Sequence, residues 1–201
     1  MFDRYAAALI KPIVDALGKP LARAGVTANQ LTLAGFLIGL SAAFLIASGA
    51  YITGAAVIFI SRSCDALDGA VARQRTPTDR GGFLDIALDF IFYASIPLAF
   101  AVADPARNAL AAATLLAAFV GTASSFLAFA VIAAKRGMTS TAYPDKSFYF
   151  LGGLAEATET LATFVAMCVW PQHFALLAYA FSVACAITIG TRLWWGWQAL
   201  R

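Results

Sequence analysis

Asp65, Asp68, Asp85 and Asp89 fall close together in a chain poor in charge, at spacings that could hold divalent metal for phosphate transfer. On a helix Asp65, Asp68 and Ala72 sit at i, i+3 and i+7 on one face, with Gly69 beside them at i+4. Gly81, Asp85 and Asp89 stack in the same way at i, i+4 and i+8. Seven residues separate Arg73 from Gly81, so two adjacent helices would point four carboxylates into one another. Like charges at membrane depth do not tolerate that without a cation. Arg62 and Arg73 would serve two of the four and leave the others, so a divalent ion is the natural candidate. Oxygen-only donors suit a hard ion, Mg²⁺ or Mn²⁺, which keeps coordination positions for water and substrate phosphates.

The elements that must position these residues are helices in lipid. The chain has 201 residues, 61% hydrophobic and 12% charged, too little polar surface to solvate a globular domain. No secretory leader pattern opens it, because residues 1–23 scatter Asp3, Arg4, Lys11, Asp15, Lys19 and Arg23 among the apolar ones. The N-terminus is therefore expected to be retained. Cys64, Cys168 and Cys185 lie in apolar runs with no metal-site or disulfide spacing, and read as small hydrophobes. The net charge of +3 implies no nucleic acid.

Stretches of about 20 apolar residues cross a bilayer. The sequence predicts an all-α membrane protein with six transmembrane helices, at about 29–49, 51–73, 81–103, 107–134, 147–169 and 173–197. Gly49, Asp104-Pro105, Gly137, Pro144 and Pro171 mark breaks. Ahead of the bundle, Tyr5, Leu9, Ile13 and Leu17 are spaced as on a helix lying on the membrane surface, an N-terminal interfacial amphipathic helix. One domain is expected over 1–201, with 1–24 interfacial and 25–201 the bundle. With a cytoplasmic N-terminus, nearly all Lys and Arg fall on one side and Arg107 alone on the other. That bias puts both termini, the aspartates and the loop between the fourth and fifth helices in the cytoplasm. His173 falls on the far side, and Trp194, Trp195 and Trp197 fit an aromatic belt.

The stretch Asp65-Ala-Leu-Asp68-Gly69-Ala-Val-Ala72-Arg73, followed by Gly81-Gly-Phe-Leu-Asp85-Ile-Ala-Leu-Asp89, resembles the signature of the CDP-alcohol phosphatidyltransferases. Every fixed position is present. The loop between the halves is one residue shorter than the family commonly has, which bears on how Thr76, Thr78 and Arg80 meet substrate. Asn29-Gln-Leu-Thr32 and the six-helix plan resemble the family more loosely. The resemblance implies that Asp65, Asp68 and Asp85 are the main metal ligands, with Asp89 a further member of the metal-binding set and the general base. It implies that Gly69 and Ala72 admit the nucleotide, that Gly81 relieves the meeting of the third helix with the site, and that Arg73 forks onto phosphate. The glycines would alternatively serve helix packing. The expected reaction is attack of an alcohol oxygen on the phosphorus of a CDP-linked donor, most readily CDP-diacylglycerol, with release of CMP, in phospholipid biosynthesis. A homodimer in a bacterial-type inner or plasma membrane is the expected setting.

The acceptor is less defined. Arg80, Lys135, Arg136 and Lys146 would bind an anionic head group or merely mark topology. Asp89 is followed by Phe90 rather than a basic residue, which disfavours a phosphorylated polyol. Glu156 and Glu159 would read an amine or sugar hydroxyls, or pair with Arg62 or Arg192. Tyr143-Pro144-Asp145-Lys146 reads as a turn that covers the site. Two other readings stay open: a phosphotransferase using a soluble CDP-alcohol and diacylglycerol, and a membrane cation transporter.

Overall fold

The computed structural model describes residues 3–75, 77–138 and 153–201, and among these every regular element is helical. Helix α1 spans Asp3–Arg23, α2 Ala28–Ala47, α3 Tyr51–Gln74, α4 Asp79–Ala103 and α5 Pro105–Lys135. Helix α6 spans Ala157–Val169, and a 3-10 turn at Pro171–His173 leads into α7, Phe174–Ala199. Five of the six expected segments reappear as helices within two residues at each end. The exception is the fifth: its expected start at Ser147 and the Tyr143–Lys146 turn lie outside the described residues, and the described helix begins only at Ala157.

Local chemistry sets the boundaries. At the start of α2, Thr27 Oγ1 accepts from Gln30 N at 3.3 Å while Thr27 N donates to Gln30 Oε1 at 2.9 Å, a reciprocal cap. Gly49, at φ 86°, takes the left-handed turn that ends α2, a conformation other residues adopt only at a cost. At the α4–α5 junction Asp104 caps Arg107 N, Pro105 opens the new helix, and Asn108 Nδ2 donates to Phe100 O at 3.0 Å.

α2 packs on α3 and α4, and α5 on α4 and α7. The approach of α2 to α3 depends on small residues. A Cβ on Gly39 would stand 2.5 Å from Phe92 and 2.9 Å from Ser61 Oγ. Ser61 Oγ in turn donates across the gap to Gly35 O at 2.7 Å. Deeper in the bundle Phe92, Ile96 and Phe100 of α4 meet Ile46, Ile58, Leu115, Phe164 and Phe174, all fully buried. Phe100 stacks between Tyr51 and Phe174, at centroid distances of 5.5 and 4.5 Å. Cys168 and Cys185 are buried and free, as their apolar settings predict.

The outer surface is apolar: Phe44, Leu110 and Trp197 are each more than 70% exposed. α2, α4, α5 and the stretch Pro171–Ala199 are long and apolar enough to cross a bilayer. α3 has the length, at 24 residues, but carries Arg62 at its midpoint and Asp65 and Asp68 in its second half. α6 has 13 residues.

α1 ends at Arg23, close to the end of the expected 1–24 segment, and runs through Pro12 and Pro20. It crosses α3, where a Cβ on Gly18 would meet Ala70 Cβ at 2.7 Å. Leu9, Ile13 and Leu17 remain exposed.

Candidate metal centre

α3 and α4 deliver the acidic residues from opposite chain directions on either side of a short loop. Helical periodicity puts Asp65 and Asp68 on one side of α3, and α4 brings Asp85 against them. One carboxylate oxygen from each of Asp65, Asp68 and Asp85 lies within 4.8 Å of the others. Asp68 is buried; Asp65 and Asp85 are half-buried. The buried carboxylate is fixed by α2, because Thr32 Oγ1 donates to Asp68 Oδ2 at 2.6 Å. That threonine belongs to the Asn29–Thr32 stretch, and its position a helix apart concealed the contact from any reading of spacing.

Asp89 stands outside that trio and takes a different partner. Arg62 Nη1 lies 2.6 Å from Asp89 Oδ1 and 3.3 Å from Asp65 Oδ1. Arg62 therefore meets two of the aspartates, one of the alternatives that the spacing left open, and it does not reach toward Glu156 or Glu159. Three convergent carboxylates with oxygen donors alone match a hard divalent cation, so the residues fit the ion their spacing implies.

The other expected residues divide. Arg73 pairs with Asp15 of α1 rather than with the cluster, Nη2 to Oδ1 at 2.9 Å. Nothing in the periodicity of α1 distinguishes Asp15 from a solvated charge. The hydrogen bond from Arg73 holds the Asp15 carboxyl below the ordinary aspartate value. Among the described residues a Cβ on Gly69 would meet only Arg73 Nη1, at 3.4 Å, whereas one on Gly81 would press on Asn29 Oδ1 at 3.1 Å. Ala72 is half-buried on the same helix. Thr78 is occupied as the cap of α4, its Oγ1 accepting from Gly81 N at 3.1 Å. Arg80 is exposed beside it, and Thr76 lies outside the described residues.

Lys135 and Arg136 are exposed at the C-terminal end of α5, where positive charge suits the helix dipole; Lys146 is outside the described residues. Glu156 precedes α6 instead of lying within it, because its extended backbone makes it the residue that opens the helix. It is buried, its Oε1 accepts from Gly153 N at 2.8 Å, and it attracts Arg192 electrostatically. Glu159 sits in the first turn of α6, where a negative charge is favoured. The pair therefore meets Arg192 through Glu156, not Arg62. His173 and Arg107 lie at the end of the bundle remote from the aspartates, with Arg107 Nη2 donating to Gln172 O at 3.3 Å.

A family model for CDP-alcohol phosphatidyltransferase matches residues 25–194. The inner membrane protein YnjF of Escherichia coli strain K12 is 48% identical over 201 residues, which is the whole of this chain and 98% of that protein. The archaetidylinositol phosphate synthase of Methanothermobacter thermautotrophicus is 47% identical over 81 residues, 39% of this chain and 42% of its own. In fold, the chain resembles the crystal structure of Mycobacterium tuberculosis phosphatidylinositol phosphate synthase with CDP-DAG bound, at 23% identity and TM-score 0.73, covering 92% of this chain and 94% of that one. A second structure of that synthase, in complex with manganese and citrate, has TM-score 0.72 and covers 92% and 88%. The carboxylate trio and the match over most of the chain displace the transporter reading: the protein belongs to the CDP-alcohol phosphatidyltransferase family and is a divalent-metal-dependent phosphatidyltransferase of the membrane.

Proposed function

We propose that this enzyme transfers the phosphatidyl group of CDP-diacylglycerol to a small alcohol and releases CMP, with Asp65, Asp68 and Asp85 as the ligands of its metal. The observation that carries the reading is the convergence of those three carboxylates within 4.8 Å of one another, beside the open helix surface at Gly69. The CDP-DAG in the mycobacterial synthase supports the choice of donor.

A bound divalent ion supplies positive charge that stabilises the diphosphate and the departing CMP. This chain's own groups do the rest. Gly69 and Ala72 let the nucleotide lie close to α3, and Arg73, steadied by Asp15, presents its remaining N–H groups toward phosphate. Thr78 orders the start of α4 through its cap, and Arg80 stands at the rim. The acceptor hydroxyl attacks phosphorus in line, the bond to the CMP oxygen breaks, and the hydroxyl proton passes to Asp89, whose carboxylate is oriented by Arg62. An anionic acceptor would meet Arg80, Lys135 and Arg136. Glu156, buried against Gly153 and Arg192, serves structure; Glu159, in the first turn of α6, is a candidate contact for hydroxyls.

In this reading α3 and α6 complete six membrane crossings around a single domain, α1 lies on the surface with Leu9, Ile13 and Leu17 in lipid, and the aspartates face the cytoplasm across the inner membrane. The relative named as an inner membrane protein supports that address. A homodimer is part of the same proposal.

Purified protein in detergent is given CDP-diacylglycerol with a panel of alcohols, or a CDP-amino alcohol with diacylglycerol, and CMP is measured. CMP release from CDP-diacylglycerol that requires Mg²⁺ or Mn²⁺ and disappears in Asp68→Asn is expected. Release from the CDP-amino alcohol alone would assign the donor to the soluble class instead.

A further inference from the structure

α5 and α7 run side by side in one direction. Arg107 meets Gln172 where they begin, Arg192 Nη1 donates to Thr122 O at 3.1 Å farther on, and a Cβ on Gly196 would stand 3.1 Å from Phe129. Both helices therefore finish at the aspartate end of the bundle. There they enclose a groove of about 520 Å³, within the size range of ligand sites. Its lining combines buried Phe129, the small residues Ser125 and Ala128, and exposed Ile132, Leu193 and Trp197. Ser125 Oγ is already given to Thr122 O, at 3.1 Å. Among the described residues no acidic side chain lines the groove. Arg192, at its inner end, is 8% exposed and committed to Thr122 and Glu156. The open end is basic. The α5 stripe at 125, 128, 129 and 132 continues by helical period to Lys135 and Arg136, and the α7 side ends in Arg201, all three exposed.

We propose that this groove binds an anionic phospholipid of the surrounding bilayer, one acyl chain lying over Phe129 and the phosphate among Arg136, Arg201 and Lys135. From Ser125 to Ile132 the groove runs about 10 Å by helical rise, inside the ~15 Å of hydrocarbon that one leaflet contributes. A lipid of the leaflet on the aspartate side therefore reaches it without leaving the bilayer. Its tail meets apolar surface where polar partners are spent, and its charge meets cations where the groove opens. Basic pockets between helices at a membrane surface select anionic head groups in this way, and Trp197 beside the opening suits the same depth. The lipid site lies between α5 and α7, whereas the aspartates lie on α3 and α4, so it does not depend on their metal.

The test uses Trp197 as reporter. Trp170, Trp194 and Trp195 are each more than half exposed and are replaced by Phe, and the full chain is placed in vesicles that mix phosphatidylglycerol with phosphatidylcholine. One lipid or the other carries brominated chains, and quenching of Trp197 gives their relative binding. Phosphatidylglycerol is expected to be preferred by about fivefold or more, and by less than about twofold once Arg136→Gln and Arg201→Gln are combined. Ala128→Phe, which fills the groove and leaves every cation in place, should abolish the preference as fully. A reporter at Trp194, outside the groove lining, should show less than about twofold preference. Equal binding at Trp197, an equal preference at Trp194, or a preference that survives Ala128→Phe would each overturn the proposal. So would a disulfide between two chains carrying Ala128→Cys with the native cysteines replaced by serine, since a second copy would then cover the groove. Should Ala128→Phe not fold, Ser125→Leu fills the same space and decides.

Discussion

Arg73 meets two demands with one guanidinium. Nη2 is committed to Asp15, while Nη1 lies on the Gly69 side, toward the open surface of α3. Asp15 is thus a positioning residue for an arginine proposed to hold phosphate. Because the hydrogen bond from Arg73 depresses the Asp15 pKa below 3.8, the carboxylate is ionised throughout the working range; the pair is complete above the ordinary aspartate value and is lost only as pH falls through the depressed one. Both groups are partly exposed, so the bridge is modest. Asp15→Asn is expected to lower kcat/KM by about two- to fivefold, by the same factor at every pH from about 6 to 8, in a CMP-release assay. A factor that grew steadily across that window would point to another titrating partner. The spacing of the aspartates was readable because a helix repeats on a known period, and that period placed Asp65, Asp68 and Asp85 together. The Arg73 partner was not readable, since it lies 58 positions away on a helix whose crossing angle no local pattern encodes.

At the level of elements, the placement of α1 depends on a missing side chain. Gly18 lies against Ala70, in the turn that separates Asp68 from Arg73, so α1 and α3 touch just beside the acidic residues. Gly18→Val is expected to push α1 off α3, break the Asp15–Arg73 bridge and cost about 1–3 kcal/mol of stability. Thermal unfolding in detergent measures the cost, and the activity loss should include that of Asp15→Asn. Gly18→Val with unchanged melting and activity would mean that α1 is free to shift. The helices capped by Thr27 and Thr78 start within two residues of the expected positions, and the break at Asp104-Pro105 fell where turn chemistry placed it. Glu156 did not, because an acid just before a helix and one just inside it look alike in sequence, and only the extended backbone at 156 separates them.

For the molecule as a whole, the proposed orientation divides the described charges between two ends. Arg107 and His173 share one; Arg73, Arg75, Arg80, Lys135 and Arg136 share the other with the aspartates. In a variant with Cys64, Cys168 and Cys185 replaced by serine, a new cysteine at Gln172 should react with an impermeant maleimide in intact spheroplasts, and one at Asp79 only after lysis. The reverse pattern would invert the topology. Hydrophobic run length announced α2, α4, α5 and α7 plainly, whereas α3 sacrifices apolarity to the charges that make it useful.

The end remote from the aspartates is stitched. Asn108 ties α5 to the last turn of α4, Arg107 reaches the carbonyl of Gln172 ahead of α7, and Tyr51, Phe100 and Phe174 stack across three helices. With that end fastened, any splaying of the helices pivots there, and its displacement grows along the length of α4, about 35 Å by helical rise. A tilt too slight to disturb the aromatic stack becomes a change in gap at the carboxylates. Any closure on a nucleotide is therefore expected to register at the carboxylates, through the ties of Thr32 to Asp68 and Arg62 to Asp89, and not at the stitched end.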